Sequence, residues 1–186
     1  MLKILCFLLA ISALSLSKNP DDYKKAESVY DFTATDISGN EVSLDKYKGH
    51  VLVIINVATN CTMTERNYKQ LNEIYDKFGQ SKGLRILAFP CNQFMNQEPG
   101  TNAEIAAFAK SMNVKFDMFS KIEVNGDGAH PLYKYLKFKQ PGTKENDDSI
   151  EWNFAKFIID KNGQVVERHV PQDNPLDLIP SLEKYF

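Results

Sequence analysis

Apolar residues along the chain change their spacing from one stretch to the next, and each change marks a new element. Tyr30-Asp31-Phe32-Thr33-Ala34 alternates with a period of two, Ser38-Gly39-Asn40 supplies a turn, and Glu41-Val42-Ser43-Leu44 resumes the alternation, which predicts an N-terminal β-hairpin. Val51 to Ala58 (VLVIINVA) is a nearly unbroken apolar run, as expected of a strand covered on both faces. From Thr64, the expected N-cap, the pattern becomes helical: Tyr68, Leu71, Tyr75 and Phe78 share one face. Leu84 to Pro90 (LRILAFP) reads as a second buried strand, parallel to the first through the intervening helix. Shorter helices are expected at 103–112 and 131–138. A hairpin follows, with strands at 154–159 and 164–168 joined through Asn162-Gly163, and then a terminal helix over 176–185 bent at Pro180.

A hairpin, a strand–helix–strand unit, a second hairpin and a closing helix make up the element order of a thioredoxin-like α/β fold, a central mixed sheet flanked by helices. The 186 residues are 43% hydrophobic and 25% charged, enough for one domain with a real core, and that compact unit is expected to begin near Ala26. A formal charge of −2 offers no footprint for nucleic acid or an anionic membrane. The N-terminus stands apart. After Lys3, Ile4 to Leu16 is an apolar run of about 13 residues, too short to span a bilayer, and it ends in Ser15-Leu16-Ser17. Residues 1–17 are therefore read as a signal peptide, 18–186 as the domain, and secretion as the destination.

Removal of that segment also removes Cys6 and leaves Cys61 and Cys91. In an oxidising compartment two such residues could form a structural disulfide. The surroundings of Cys61 argue against a permanent bridge. It lies between the end of the first buried strand and the start of the following helix, where open α/β sheets place reactive groups and where the helix dipole favours an anion. A thiol with pKa near 8.5 is only about 3% ionised at neutral pH, so such a position suits thiolate chemistry. On position alone the buried core cysteine, which most free cysteines are, stays the leading reading.

Three longer motifs change the balance. Asn56-Val57-Ala58-Thr59-Asn60-Cys61-Thr62-Met63-Thr64, Leu84 to Phe94 continuing through Gln97-Glu98-Pro99-Gly100, and Glu151-Trp152-Asn153-Phe154-Ala155-Lys156-Phe157 occur in order, and the chain from about Ala26 resembles the glutathione peroxidases. The resemblance is nearest to the monomeric phospholipid-hydroperoxide subgroup, because the segment from Phe138 to Glu151 is short. It implies a thiol peroxidase with Cys61 as the reactive sulfur and with Gln97, Trp152 and Asn153 around it as N–H donors. It implies a hydroperoxide substrate, lipid hydroperoxides included, and glutathione as reducing co-substrate, with no resident cofactor and no metal. Relatives reduced by thioredoxin carry a resolving cysteine in the helix after the second motif. The equivalent Ile105 to Ser111 has none, so a small external thiol is expected, with thioredoxin as the other candidate. Cys91 is expected to be a small buried residue.

The chain departs from the family pattern at three places. Thr62 replaces a glycine after the reactive residue, and Glu151 stands where a lysine often precedes the Trp-Asn pair, which weakens any cationic rim. Asn60-Cys61-Thr62 forms an N-x-T sequon, expected to escape glycosylation because its turn folds into a buried position. Other chemistries fit less well. No CxxC supports dithiol exchange, and His50, His130 and His169 are too scattered for a metal site. A redox sensor or relay that passes oxidation to a partner protein is the alternative on the same fold.

Overall fold

The structure, a computed structural model, describes residues 19–20, 22–143 and 147–186. The expected signal peptide lies outside the described residues. The core is a five-stranded mixed sheet in the order β5-β4-β3-β6-β7. Strand β3 (Leu52–Val57) runs parallel to β4 (Arg85–Pro90) on one side and antiparallel to β6 (Lys156–Ile159) on the other. Strand β7 (Val165–His169) closes one edge, and β5 (Asp117–Met118) closes the other. Strands β1 (Thr33–Thr35) and β2 (Glu41–Ser43) form a separate antiparallel pair.

The unbroken apolar run of β3 follows from its place at the centre. Leu52 and Ile54 enter a core shared with Leu132, Tyr133 and Leu136 of α3 (Pro131–Lys139). Val53, Ile55 and Val57 point to the opposite face. There they meet Tyr68, Leu71, Ile74 and Phe78 of α1 (Thr64–Phe78), Ile105 of α2 (Asn102–Ser111) and Leu182 of α4 (Ile179–Tyr185). Alternate residues thus serve two cores, and neither face can be polar.

Several local expectations are corrected. Residue Thr64 is not the N-cap of α1; that position is Met63, and the Thr64 hydroxyl donates instead to the Ala58 carbonyl at 2.7 Å. The first half of the expected hairpin is partly a 3-10 helix, Val29–Asp31, because Ser28 and Asp31 form a capping box around it. The β6–β7 loop is not a two-residue Asn-Gly turn: of its residues only Gly163 has positive φ, and Asp160 Oδ1 accepts from the N–H groups of both Asn162 and Gln164 at 2.9 Å. The terminal helix breaks ahead of Pro180 rather than bending at it. A 3-10 helix, Pro175–Leu178, gives way to α4, where Pro180 sits in the first turn and its missing N–H costs nothing. The folded body also begins before Ala26, since Asn19 Oδ1 accepts from Thr33 N at 2.9 Å and the Tyr23 ring meets Phe138 edge-on at 6.2 Å. Among the described residues no helix is long and apolar enough to cross a membrane.

Helix α3 starts with Pro131 at its first turn and His130 as N-cap, whose Nδ1 accepts from Leu132 N at 3.2 Å. Burial pushes the His130 imidazole down to about 4. The unfolded chain, with an ordinary histidine, binds the extra proton between about pH 6.5 and 4, so this residue makes stability fall as pH drops through that window. We expect a loss of about 2 kcal/mol from His130 on going from pH 7 to 5. Urea unfolding of wild type and His130→Asn, which keeps a capping acceptor, should show the loss blunted in the variant.

Candidate active site

Residue Cys61 lies on the turn between β3 and α1, three positions before the first helical residue. Its carbonyl accepts from Thr64 N at 3.0 Å, which closes the turn onto the helix. The Cys61 residue is 7% exposed, and neither Cys61 nor Cys91 is in a disulfide. Residues Asn60 and Thr62 on either side are exposed. The sequon turn is therefore not buried as expected; only its central residue is.

Two other loops reach this turn. Residue Gln97 stands on the loop after β4, and its backbone carbonyl accepts from Asn60 N at 2.9 Å. Its side-chain Oε1 accepts from Asn153 Nδ2 at 2.7 Å. With that acceptor taken, the amide N–H group of Gln97 is left to donate elsewhere. Residue Asn153 is fully buried, and its Oδ1 has no hydrogen-bond partner among the described residues. Residue Trp152, half-buried, packs against both cores, the one that includes Cys61 among them, and its ring lies 5.7 Å from that of Phe94. The structure thus joins Asn153 to Gln97 and Gln97 to the Cys61 turn, while Trp152, next to Asn153 in the chain, packs against both cores. Among the described residues no group donates a hydrogen bond to the Cys61 sulfur.

The third loop is held by groups that sequence reasoning did not assign. Residue Asn56, next to last in β3, donates from Nδ2 to the Trp152 carbonyl at 3.0 Å, and its backbone carbonyl accepts from Phe154 N at 2.7 Å. An amide inside an apolar strand is costly unless it is bonded, and that is the signal that could have marked it. The Lys156 ammonium, with no exposure, donates to the carbonyls of Phe154 and Asp173, both at 2.7 Å. Burial pushes it down to about 8. Backbone strain gathers at the same place: of the four non-glycine residues with positive φ among the described residues, Met95 and Asn96 directly precede Gln97 and Phe154 directly follows Asn153.

The charge of Glu151, beside Trp152, is paired. The Glu151 carboxylate meets Arg168 at 3.1 Å, and that guanidinium, 6% exposed, also donates to the carbonyls of Asp148 and Ser149. Residue Cys91 is a different kind of sulfur. It is fully buried, it follows β4, and burial pushes its thiol up. Cavities of about 400 Å³ flank the Cys61 turn, one lined by Thr59, Asn60 and Glu98 and the other by Thr62, Arg66 and Lys69. A larger one, about 870 Å³, lies at the opposite end of β3 and β4, around His50 and Arg85. It contains no nucleophilic thiol. Among the described residues no cluster of three or more His, Cys, Asp or Glu side chains could hold a metal ion.

The chain is similar to known proteins in sequence and in fold. The family model described as "Glutathione peroxidase" matches residues 29–137. The phospholipid hydroperoxide glutathione peroxidase of Sus scrofa is 51% identical over 185 residues, 98% of this chain and 93% of that one. Its Bos taurus counterpart is 50% identical over the same shares. The crystal structure of Trgpx in apo form, 35% identical, superposes with a TM-score of 0.72 over 86% of this chain and 95% of that one. T. cruzi GPX1 is 34% identical with a TM-score of 0.71, covering 86% of this chain and 96% of its own. A thioredoxin family protein from Chlorobium tepidum TLS shares the fold at 15% identity, with a TM-score of 0.59 over 83% of this chain and 92% of that one. On these grounds, the chain belongs to the glutathione peroxidase family and is an oxidoreductase that reduces peroxides.

Proposed function

We propose that Cys61 is the sulfur that attacks the peroxide, with Gln97, Trp152 and Asn153 as the polar groups that serve it. The observation that carries this reading is the pair of contacts that draw Gln97 to the Cys61 turn and Asn153 to Gln97, at 2.9 and 2.7 Å. The Cys61 thiolate attacks the terminal oxygen of R–O–O–H, and the O–O bond breaks. The departing alkoxide takes up a proton to leave as an alcohol, or as water from hydrogen peroxide, and Cys61 becomes a sulfenic acid. The Gln97 amide and the Trp152 indole are donors suited to the charge on the departing oxygen, and Asn153 fixes which end of the Gln97 amide faces the site.

Regeneration needs two thiols. The first condenses with the sulfenic acid, releases water and leaves a mixed disulfide; the second displaces Cys61 as a thiol and carries off the disulfide. No cysteine lies in α2, and Cys91 is buried in the other core, so the reductant comes from solution; glutathione fits better than thioredoxin. Relatives about half identical are named for phospholipid hydroperoxides, which supports lipid hydroperoxides as substrates alongside hydrogen peroxide. A monomer agrees with the shortness of the segment before Glu151. Residues 1–17 direct the protein to secretion, and the mature chain begins at Lys18.

Three outcomes are expected. With excess glutathione and glutathione reductase, the protein consumes hydrogen peroxide and a phospholipid hydroperoxide over many cycles; oxidation that stops after one equivalent would favour the relay reading. The Cys61→Ser variant loses turnover, and Gln97→Ala or Trp152→Phe slows the peroxide step by about 10- to 100-fold in stopped-flow measurements. Expressed in eukaryotic cells, the protein appears in the medium with Lys18 at its N-terminus by mass spectrometry.

A further inference from the structure

The Gln97 loop is held to the Cys61 turn at two points, and one of them is a buried acid. Residue Glu98 has no exposure, and its Oε1 accepts a short hydrogen bond from the Thr59 hydroxyl, two residues before Cys61. The companion contact is Asn60 N to the Gln97 carbonyl. No cation touches the Glu98 side chain among the described residues. The Lys121 ammonium is occupied by the backbone carbonyls of Glu98 and Gly100 at 3.0 and 2.6 Å. The second carboxyl oxygen, Oε2, has no hydrogen-bond partner among the described residues. Burial pushes the Glu98 carboxyl above the ordinary carboxylate range, against the hydrogen bonds from Thr59.

A carboxyl kept dry, unpaired and half-satisfied costs stability, so what it holds in place is informative. It acts on a loop that resists its own shape. Immediately before Gln97, Met95 and Asn96 both occupy left-handed backbone with φ of 50° and 53°, and Met95 is 78% exposed, so packing at the tip does little to hold that shape. On the other side of Gln97 the Glu98 N–H donates to Asn92 Oδ1 at 2.8 Å, and its side chain reaches Thr59. Residue Gln97 therefore sits between a strained segment and an anchor.

We propose that Glu98 is a positioning residue for peroxide reduction: as the buried acceptor for Thr59, it sets the Gln97 amide at the Cys61 turn. The inference rests on the role given to Gln97 above. It is tested with Thr59→Val, which deletes only the donor, Glu98→Ala, which deletes the acceptor, and Glu98→Gln, which keeps it. Each is made in the wild-type chain and in a Gln97→Ala background, with folding checked by far-ultraviolet circular dichroism. The readout is the second-order rate constant of Cys61 with hydrogen peroxide in single turnover.

In the wild-type background, Thr59→Val and Glu98→Ala slow the reaction about tenfold, while Glu98→Gln stays within about threefold. In the Gln97→Ala background the same changes have no further effect, because the group they position is gone. Equal slowing in both backgrounds, or full speed in Thr59→Val and Glu98→Ala, overturns the inference. If Glu98→Ala does not fold, Thr59→Val decides alone. A slow Gln97→Ala with fast anchor variants sinks only this inference. A Gln97→Ala as fast as wild type, or a wild type inert to peroxide, sinks the functional reading as well.

Discussion

The register of β3 governs the rest of the molecule. On one side Val57 pairs with Pro90 in a parallel ladder, so the chain leaves both strands at the same edge of the sheet. On the other side Ile55 pairs with Lys156 in an antiparallel ladder, so the chain enters β6 at that same edge. Three segments far apart in sequence, carrying Cys61, Gln97 and Trp152-Asn153, are thereby delivered to one place. Sliding any of these pairings by one residue would also turn every side chain to the opposite face, and both faces of β3 are filled. The apolar packing that holds the sheet in register is what holds the site together.

At that edge the apolar logic gives way to buried polar groups. Asn56, Glu98, Asn153 and Lys156 are all without exposure, and all four link the loops to one another or to the sheet. Leaving one of their partners unsatisfied costs about 1–3 kcal/mol. That cost gives the loops defined positions instead of the freedom usual for surface connections.

Much of this was legible in the sequence, for physical reasons that differ from element to element. Strand β3 and helix α1 announce themselves because long apolar stretches with one period bury one kind of surface. Strand β5 could not be seen: Asp117 and Met118 are two residues, too few to have a period, and they pair only because β4 offers its edge. Thr64 looked like a cap because hydroxyls often are, yet the Ala58 carbonyl competes for it and wins. Of the site, Cys61 could be suspected from its place after a strand, whereas Gln97, Trp152 and Asn153 were found only through motif resemblance. Thr59 and Asn56 went unassigned because their roles depend on partners 39 and 96 residues away.

The sheet also divides the two described sulfurs. Cys61 packs with the core under α1, and Cys91 with the core under α3, so a layer of backbone and side chains lies between them. Among the described residues no second thiol lies on the Cys61 side of the sheet. In the proposed cycle a sulfenic acid at Cys61 waits on the medium, and where reducing equivalents run short that residue would be open to irreversible over-oxidation. The working life of the molecule is set by its surroundings as much as by its fold.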